Sequence, residues 1–335
     1  MIPLEKTAPD PRRLDLSICI VAWNVREVLE DCLRSIRRAG PEVDHEILVV
    51  DNASGDGTAE MVETGFSEVT LIRNTRNRGF AAAANQALEA GRGRYLLLLN
   101  PDTLVPPSSL EEMVGFLDGR PAAGGAGPKL LNPDGSLQPS VRSFPTAAAA
   151  FGQFTILGKL GLFRRSRAAY LGRGFDYGRP AIVDQPMGAA LFLRREALDE
   201  VGLLDERFFL YFEEVDLCRR LTRVGRPLWF NPAAEITHRG GESTAQAGGR
   251  ALFYLFQSQF RYFDKVLPPS RARLFRLAFK PLALLGIGRS LAVNGAVLAA
   301  GCLFPDPAGR RARRRERFGR KWEFLSRHLI DFLRL

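Results

Sequence analysis

Apolar residues near the start of the chain come in short unbroken runs. Residues 16–23 (LSICIVAW) have no helical period and predict a buried strand ending at Asn24. Residues 26–38 then set Val28, Leu29, Cys32, Leu33 and Ile36 at helical spacing, closed by Gly40-Pro41. A second buried strand over 46–51 runs into the loop NASGDGT, where Asp56 or Thr58 is placed to cap the next helix. A third strand over 69–73, a small-residue helix over 80–90 and a fourth strand over 95–99 follow. Ser108 or Ser109 then opens a helix to about Leu117. This β-α-β-α-β-α-β order predicts an α/β domain, mainly a parallel sheet with helices on both faces.

The pattern then loosens. Asn132-Pro133-Asp134-Gly135 reads as the tip of a hairpin. Residues 144–180 are rich in Gly and Arg and read as irregular, with a mobile loop among them. One strand is predicted over 182–193, helices over 195–201 and 213–223, and a last strand pair over 226–238. From about Gly249 the chain becomes helical, aromatic and basic. We therefore divide it into an N-terminal extension (1–14), the α/β domain (15–248) and a C-terminal helical region (249–335).

Charge sharpens that division. The chain of 335 residues carries +10, yet from Arg261 onward there are 17 Lys/Arg and 5 Asp/Glu, or +12, leaving −2 before it. Basicity thus belongs to the tail and points to an anionic surface. No recognition motif accompanies it, so nucleic acid is not expected as a partner. Residues 281–304 are long and apolar enough to span a bilayer, but Arg289 and Asn294 interrupt them. A helix lying in the interface, its arginines on anionic lipid, accounts for both features; an internally packed helical appendage is the bland alternative.

The four cysteines, Cys19, Cys32, Cys218 and Cys302, have neither zinc nor disulfide spacing and read as core residues in a reducing compartment. No apolar leader opens the sequence, so the expected location is the cytoplasm, at the inner face of the cell membrane.

Ligands of open α/β sheets bind at the carboxyl ends of strands. Asp51, the turn Asn77-Arg78-Gly79 and Asp102 all fall at such ends. Later come the acidic cluster Glu213-Glu214-Val215-Asp216 and His238. Each has an ordinary reading: a strand-end turn for Asp51, a capping loop for Asp102, favourable dipole contacts for the three acids, an Asp216–Arg220 pair, and core packing for Phe212 and Trp229.

The runs SICIVAWN, ILVVDNASGDGT, NRGFAAAANQAL, LLLLNPDT, PMGAALFLRREAL, DERFFLYFEEVDLCRR and ITHRGGEST, in this order, resemble the family-2 glycosyltransferases, and among them the bacterial rhamnosyltransferase-like branch. The resemblance covers roughly residues 15–245. It implies a GT-A-type fold, Rossmann-like, that binds a nucleotide-diphosphate-sugar at the sheet edge. It also implies inverting transfer, rhamnose being the sugar the branch suggests, onto a saccharide or lipid-linked saccharide.

Residue by residue, it assigns donor contacts to Trp23, Asn24, Asp51, Arg78, Gly79, Asn100 and Asp102. Asp51 would hold the pyrimidine, and Gly79 would let backbone approach the nucleotide. Asp102 and His238 would hold a divalent metal, Mn²⁺ or Mg²⁺. Here the chain departs from the D-x-D motif, since Asn100 stands at its first position. Glu214 would be the general base, with Glu213 and Asp216 as weaker candidates, and Gly188, Phe212 and Trp229 would face the acceptor. Two rivals stay open: a saccharide-binding or scaffold protein with a degenerate site, and a sugar nucleotidyltransferase. The latter and dinucleotide dehydrogenases need a Gly-rich loop after strand one, where this chain has Ala22-Trp23-Asn24-Val25-Arg26-Glu27.

Overall fold

A computed structural model describes residues 14–240, 248–300 and 310–335. The expected extension, part of the ITHRGGEST run, Cys302 and the end of the 281–304 run lie outside the described residues.

Strands β1 (Leu16–Ala22), β2 (His45–Asp51), β3 (Val69–Arg73) and β4 (Tyr95–Leu99) follow the expected order. Next come β5 (Thr103–Leu104), β6 (Gly125–Leu131), β7 (Leu137–Gln138), β8 (Val141–Arg142), β9 (Ala181–Val183), β10 (Gln185–Pro186), β11 (Ala190–Arg194) and β12 (Leu228–His238). The main sheet runs β3-β2-β1-β4-β11-β6-β12-β5, with β7 on β6 and β9 on β12. β3, β2, β1 and β4 form the parallel block. Beyond it the sheet is mixed: β11 runs against both β4 and β6, while β12 runs parallel to β6.

Alternation along β1 builds both layers. Ile18 and Ile20 pack under the helix Arg26–Ala39, and Cys19 faces the other side with the helix Phe80–Ala90. Buried on both faces, these strands read as continuous apolar runs.

Four expectations change. The strand over 182–193 is broken into β9, β10 and β11, because Asp184 and the turn through Gly188 interrupt it. The pair over 226–238 is a single strand with an irregularity between Asn231 and Glu235. Neither Ser108 nor Ser109 caps its helix; Ser108 is left-handed and Ser109 Oγ donates to the Glu235 carbonyl. Residues 144–180 carry three short helices, Ala147–Phe154, Ile156–Lys159 and Arg164–Tyr170. The 132–135 turn does close the β6–β7 hairpin, and the Asp56 carboxylate accepts from the Thr58 amide.

The C-terminal helices Gly248–Val266, Pro269–Ala300, Arg310–Arg327 and Leu329–Arg334 share a largely aromatic core with the body. Phe208, Phe212 and Val215 from the body join Phe256, Phe260, Tyr262, Phe279, Phe324 and Phe332 in one buried cluster. That cluster crosses the domain boundary expected at 248.

Candidate active site

The edge formed by the ends of β1, β2 and β4 gathers most of the sequence-selected residues. Asp51 ends β2 and is 3% exposed. Its Oδ2 accepts from the Ser54 amide at 3.3 Å, while Oδ1 is buried without a protein partner. A buried carboxylate oxygen left this way invites a donor from outside the chain. Asn24, in the left-handed region at φ 52°, ties the ends of β1 and β2 together: its amide donates to Ser54 Oγ and its side chain accepts from the Gly55 amide.

Asn52 was not singled out in the sequence, yet it organises the turn after β3. Its Nδ2 donates to Asn77 Oδ1 (3.0 Å) and the Gly79 carbonyl (3.2 Å), and its Oδ1 accepts from the Arg78 amide (3.0 Å). Arg78 keeps its side chain exposed. Gly79 has φ +85°, and a Cβ there would lie 2.6 Å from the Phe209 carbonyl oxygen. The space that its missing side chain leaves is therefore taken by Phe209, whose carbonyl accepts from the Phe80 amide at 2.7 Å.

Asp102 and His238, 136 positions apart in the sequence, meet because β5 follows Asp102 at once and pairs antiparallel with the end of β12, Thr103 opposite His238. His238 Nε2 lies 3.3 Å from Asp102 Oδ1 and 3.4 Å from Asn100 Nδ2, and both Asp102 and His238 are 7% exposed. The other ring nitrogen, Nδ1, contacts Gln138 Oε1 at 2.7 Å. An amide oxygen only accepts, so Nδ1 donates to it, and it is Nε2 that would be the ring nitrogen turned to a cation beside Asp102. Two cis ligands of an octahedral cation at about 2.1 Å stand about 3.0 Å apart, so this pair suits a divalent ion. No group of three or more His, Cys, Asp and Glu side chains that could hold a metal occurs among the described residues. A cation held here would need further ligands beyond these two side chains.

Glu214 reaches the same edge from the helix Glu213–Arg223. The helix starts abruptly after Tyr211 and Phe212, both left-handed at φ 68° and 69°, a strained pair for bulky residues. Gly188 lies flat against Glu214: a Cβ there would be 3.3 Å from Glu214 Cγ. The residue after Gly188, Ala189, accepts at its carbonyl from the Asn100 amide at 2.9 Å. Asp102 and Glu214 are thus joined across β4 and β11. Glu214 Oε2 is buried without a protein partner, and burial pushes its carboxyl up, opposed in part by the backbone amides of Glu214 and Val215 and then by the Arg142 guanidinium. Arg142 and Tyr170, neither selected from the sequence, lie close enough to feel its charge.

Glu213 is 5% exposed, its Oε2 also lacks a partner, and burial pushes its carboxyl well up. Asp216 instead binds Lys265 Nζ at 2.6 Å and Arg220 Nε at 2.9 Å. Arg220 in turn donates to the carbonyls of Val201, Gly202 and Leu203. Asp216 therefore ties the loop 201–203, through Arg220, to the helix Gly248–Val266. Phe212 packs inward, its ring 5.5 Å from Tyr262. Trp229 sits at the start of β12, against Phe116 at 6.1 Å and Arg120 at 4.9 Å, the opposite end of the strand from His238. Of the three residues expected to face the acceptor, the fold brings Gly188 to Glu214 and takes Phe212 and Trp229 elsewhere.

Beside this edge opens a cleft of about 620 Å³. Trp23, Asn52 and Gly79 line it on the body side, and Arg250, Tyr254, Arg327 and His328 on the C-terminal side. Cys19, Cys32 and Cys218 are buried and unpaired.

Residues 17–182 match the family model described as Glycosyl transferase family 2. An N-acetylglucosaminyl-diphospho-decaprenol L-rhamnosyltransferase of Mycobacterium tuberculosis is 30% identical over 243 residues, 69% of this chain and 78% of its own length. A low-salt glycan biosynthesis hexosyltransferase of Haloferax volcanii is 24% identical over 213 residues, 62% of each chain. Among solved structures, a mannosyltransferase of Pyrobaculum calidifontis in complex with GDP-Man and Mn²⁺ superposes with a TM-score of 0.53 at 20% identity, over 96% of this chain and 90% of its own. GalNAc-T7 with UDP, GalNAc and Mn²⁺ gives 0.52 at 18% identity, over 68% and 43%. The fold is GT-A-like, and the chain belongs to the family-2 glycosyltransferases, of the rhamnosyltransferase-like kind.

Proposed function

We propose that this glycosyltransferase moves a sugar, rhamnose by analogy with the mycobacterial relative, from a nucleotide-diphosphate donor to a lipid-linked saccharide with inversion at the anomeric carbon. The observation that carries the reading is the link from Asp102 to Glu214 through Asn100, Ala189 and Gly188. It unites a metal-suited Asp–His pair and a buried carboxylate on one sheet edge.

Glu214 takes the proton of the acceptor hydroxyl as the new bond forms. Burial makes it a stronger base than an exposed glutamate, and general-base help is worth about 10²–10⁴ in rate. Asp102 and His238 would hold a divalent cation, which would supply charge stabilisation to the leaving diphosphate. Asp51 receives a donor N–H at its unpartnered Oδ1. Direct displacement needs one base and no second nucleophilic carboxylate.

The acceptor reading draws on the relative's printed substrate, a diphospho-decaprenol, and on the helix Pro269–Ala300. By length and apolarity that helix is able to cross a membrane. Yet Phe275, Phe279, Ala283 and Ile287 are buried in the protein, while Leu274, Leu277 and Leu285 are 60–67% exposed on the other side. A helix with one face on protein and one apolar face outward suits the membrane interface better than a span. The arginines of 310–320 supply attraction to anionic lipid.

The test is turnover of a nucleotide-sugar panel with Mn²⁺ or Mg²⁺ and a lipid-diphosphate-linked sugar. We expect nucleoside diphosphate release and an inverted anomeric configuration by NMR. A product of retained configuration would refute the mechanism.

A further inference from the structure

We propose that the C-terminal helices form the far wall of the pocket for the donor's nucleoside, so that Tyr254 and Arg327 help select the base. The inference rests on the donor reading above and extends it to residues outside the region covered by the family model.

Three observations support it. First, the cleft is bounded on one side by Trp23 and Asn52, beside the buried Asp51, and on the other by the helices Gly248–Val266, Arg310–Arg327 and Leu329–Arg334. Second, aromatic faces bound it. Tyr254 stacks on Phe209 with ring centroids 4.3 Å apart and 22° between planes, and Phe209 fills the space left by Gly79. The donor-side turn, the loop before Glu213 and the C-terminal region are thereby packed into one unit.

Third, the lining charges balance. Arg250 and Arg327 are matched by Glu323 and Asp331, with His328 between them. Phosphate is commonly held by Arg or Lys side chains that no carboxylate matches, and this lining has no such excess. A neutral planar group with donors and acceptors around its rim fits instead: it stacks on aromatic faces and pairs with side chains of either sign. Asp102 and His238, suited to the cation and diphosphate, stand outside this lining. A nucleoside in the cleft with its diphosphate directed to them uses both sites at once.

The test is calorimetric binding of UDP, dTDP, GDP and inorganic pyrophosphate to the full chain in Mn²⁺. Wild type is compared with Tyr254→Leu, Arg327→Ser and the control Trp322→Ser. Arg327 is 76% exposed at its side chain and its replacement should fold, so it carries the test should Tyr254→Leu not fold. We expect one nucleotide to bind the wild type more tightly than pyrophosphate. Tyr254→Leu should weaken that nucleotide by about tenfold or more, Arg327→Ser should narrow the preference among bases, and pyrophosphate binding should stay unchanged in both. Folded variants that bind the three nucleotides as the wild type does overturn the inference. Wild type binding pyrophosphate as tightly as nucleotides overturns it too, while leaving the diphosphate site standing. Wild type binding none of the four removes the donor reading itself.

Discussion

Gln138 grips His238 twice: its Oε1 accepts from the ring Nδ1 at 2.7 Å, and its Nε2 donates to the His238 carbonyl oxygen at 3.1 Å. The same Nε2 donates to Asn132 Oδ1 at 3.0 Å, which fixes which end of the amide is which. Such partners orient a metal-binding imidazole and raise its basicity. Gln138→Ala should therefore weaken Mn²⁺ binding by about 10–100-fold, read by metal titration of activity and by calorimetry on protein shown by circular dichroism to remain folded. Unchanged metal affinity would mean that His238 is not a ligand.

Glu214→Gln keeps the shape of the side chain and removes the base. The rate should fall by about 10²–10⁴ with donor affinity preserved. Burial raises the Glu214 carboxyl above the usual carboxylate range. The base must be unprotonated, so activity should rise with pH along an acid limb above about 4.3, the ordinary glutamate value. A limb at that ordinary value, or normal turnover in the variant, contradicts the assignment.

Gly188 can be tested by size. Its backbone tolerates a Cβ, but that atom would sit 3.3 Å from Glu214 Cγ. Gly188→Ala should shift the carboxylate slightly and Gly188→Val much further. Misplacement of about 1 Å can cost about 10²-fold, so the turnover number should fall in the order Gly, Ala, Val. Equal rates in all three would show that this contact does not position Glu214.

Glu213 titrates in the opposite sense to a salt-bridged acid. Its folded carboxyl is held well above the unfolded value by burial. Between the two values the folded chain binds more protons than the unfolded one, so stability falls as pH rises through that window. Glu213→Gln should flatten this decline and raise the melting temperature at neutral pH. Each 1 kcal/mol recovered is worth at most about 2–4 °C in a chain of this size. A steeper decline in the variant, followed by calorimetry from pH 5 to 8, would show the sign to be wrong.

The outward stripe Leu274, Leu277, Leu285 should bind vesicles containing phosphatidylglycerol better than pure phosphatidylcholine. Salt should weaken the attraction, since each basic residue near such a surface adds about 1 kcal/mol. Leu277→Glu with Leu285→Glu should leave the fold intact and abolish co-sedimentation. Binding that survives both changes would place the contact elsewhere.

Local sequence determined the parallel half of the fold. Apolar runs within the strands read at 16–23, 46–51 and 95–99, separated by helix-period segments, admit little besides buried parallel strands. Strand ends then located Asp51 and Asp102 without any coordinates. Side-chain pattern could not determine the mixed half, because β5 through β10 are mostly two or three residues long, too short to carry a period. The meeting of His238 with Asp102 depends on the pairing of Thr103 with His238. Gln138 enters through a hairpin, and Gly188 owes its position to the register of β11 on β4. Phe212 and Trp229 show the converse. Both are aromatic residues near suggestive motifs, and long-range packing against Tyr262 and Phe116 claimed them. Periodicity reports the face that an element buries; which elements then become neighbours is fixed by contacts between residues from about fifty to well over a hundred positions apart, and those exist only once the chain has folded.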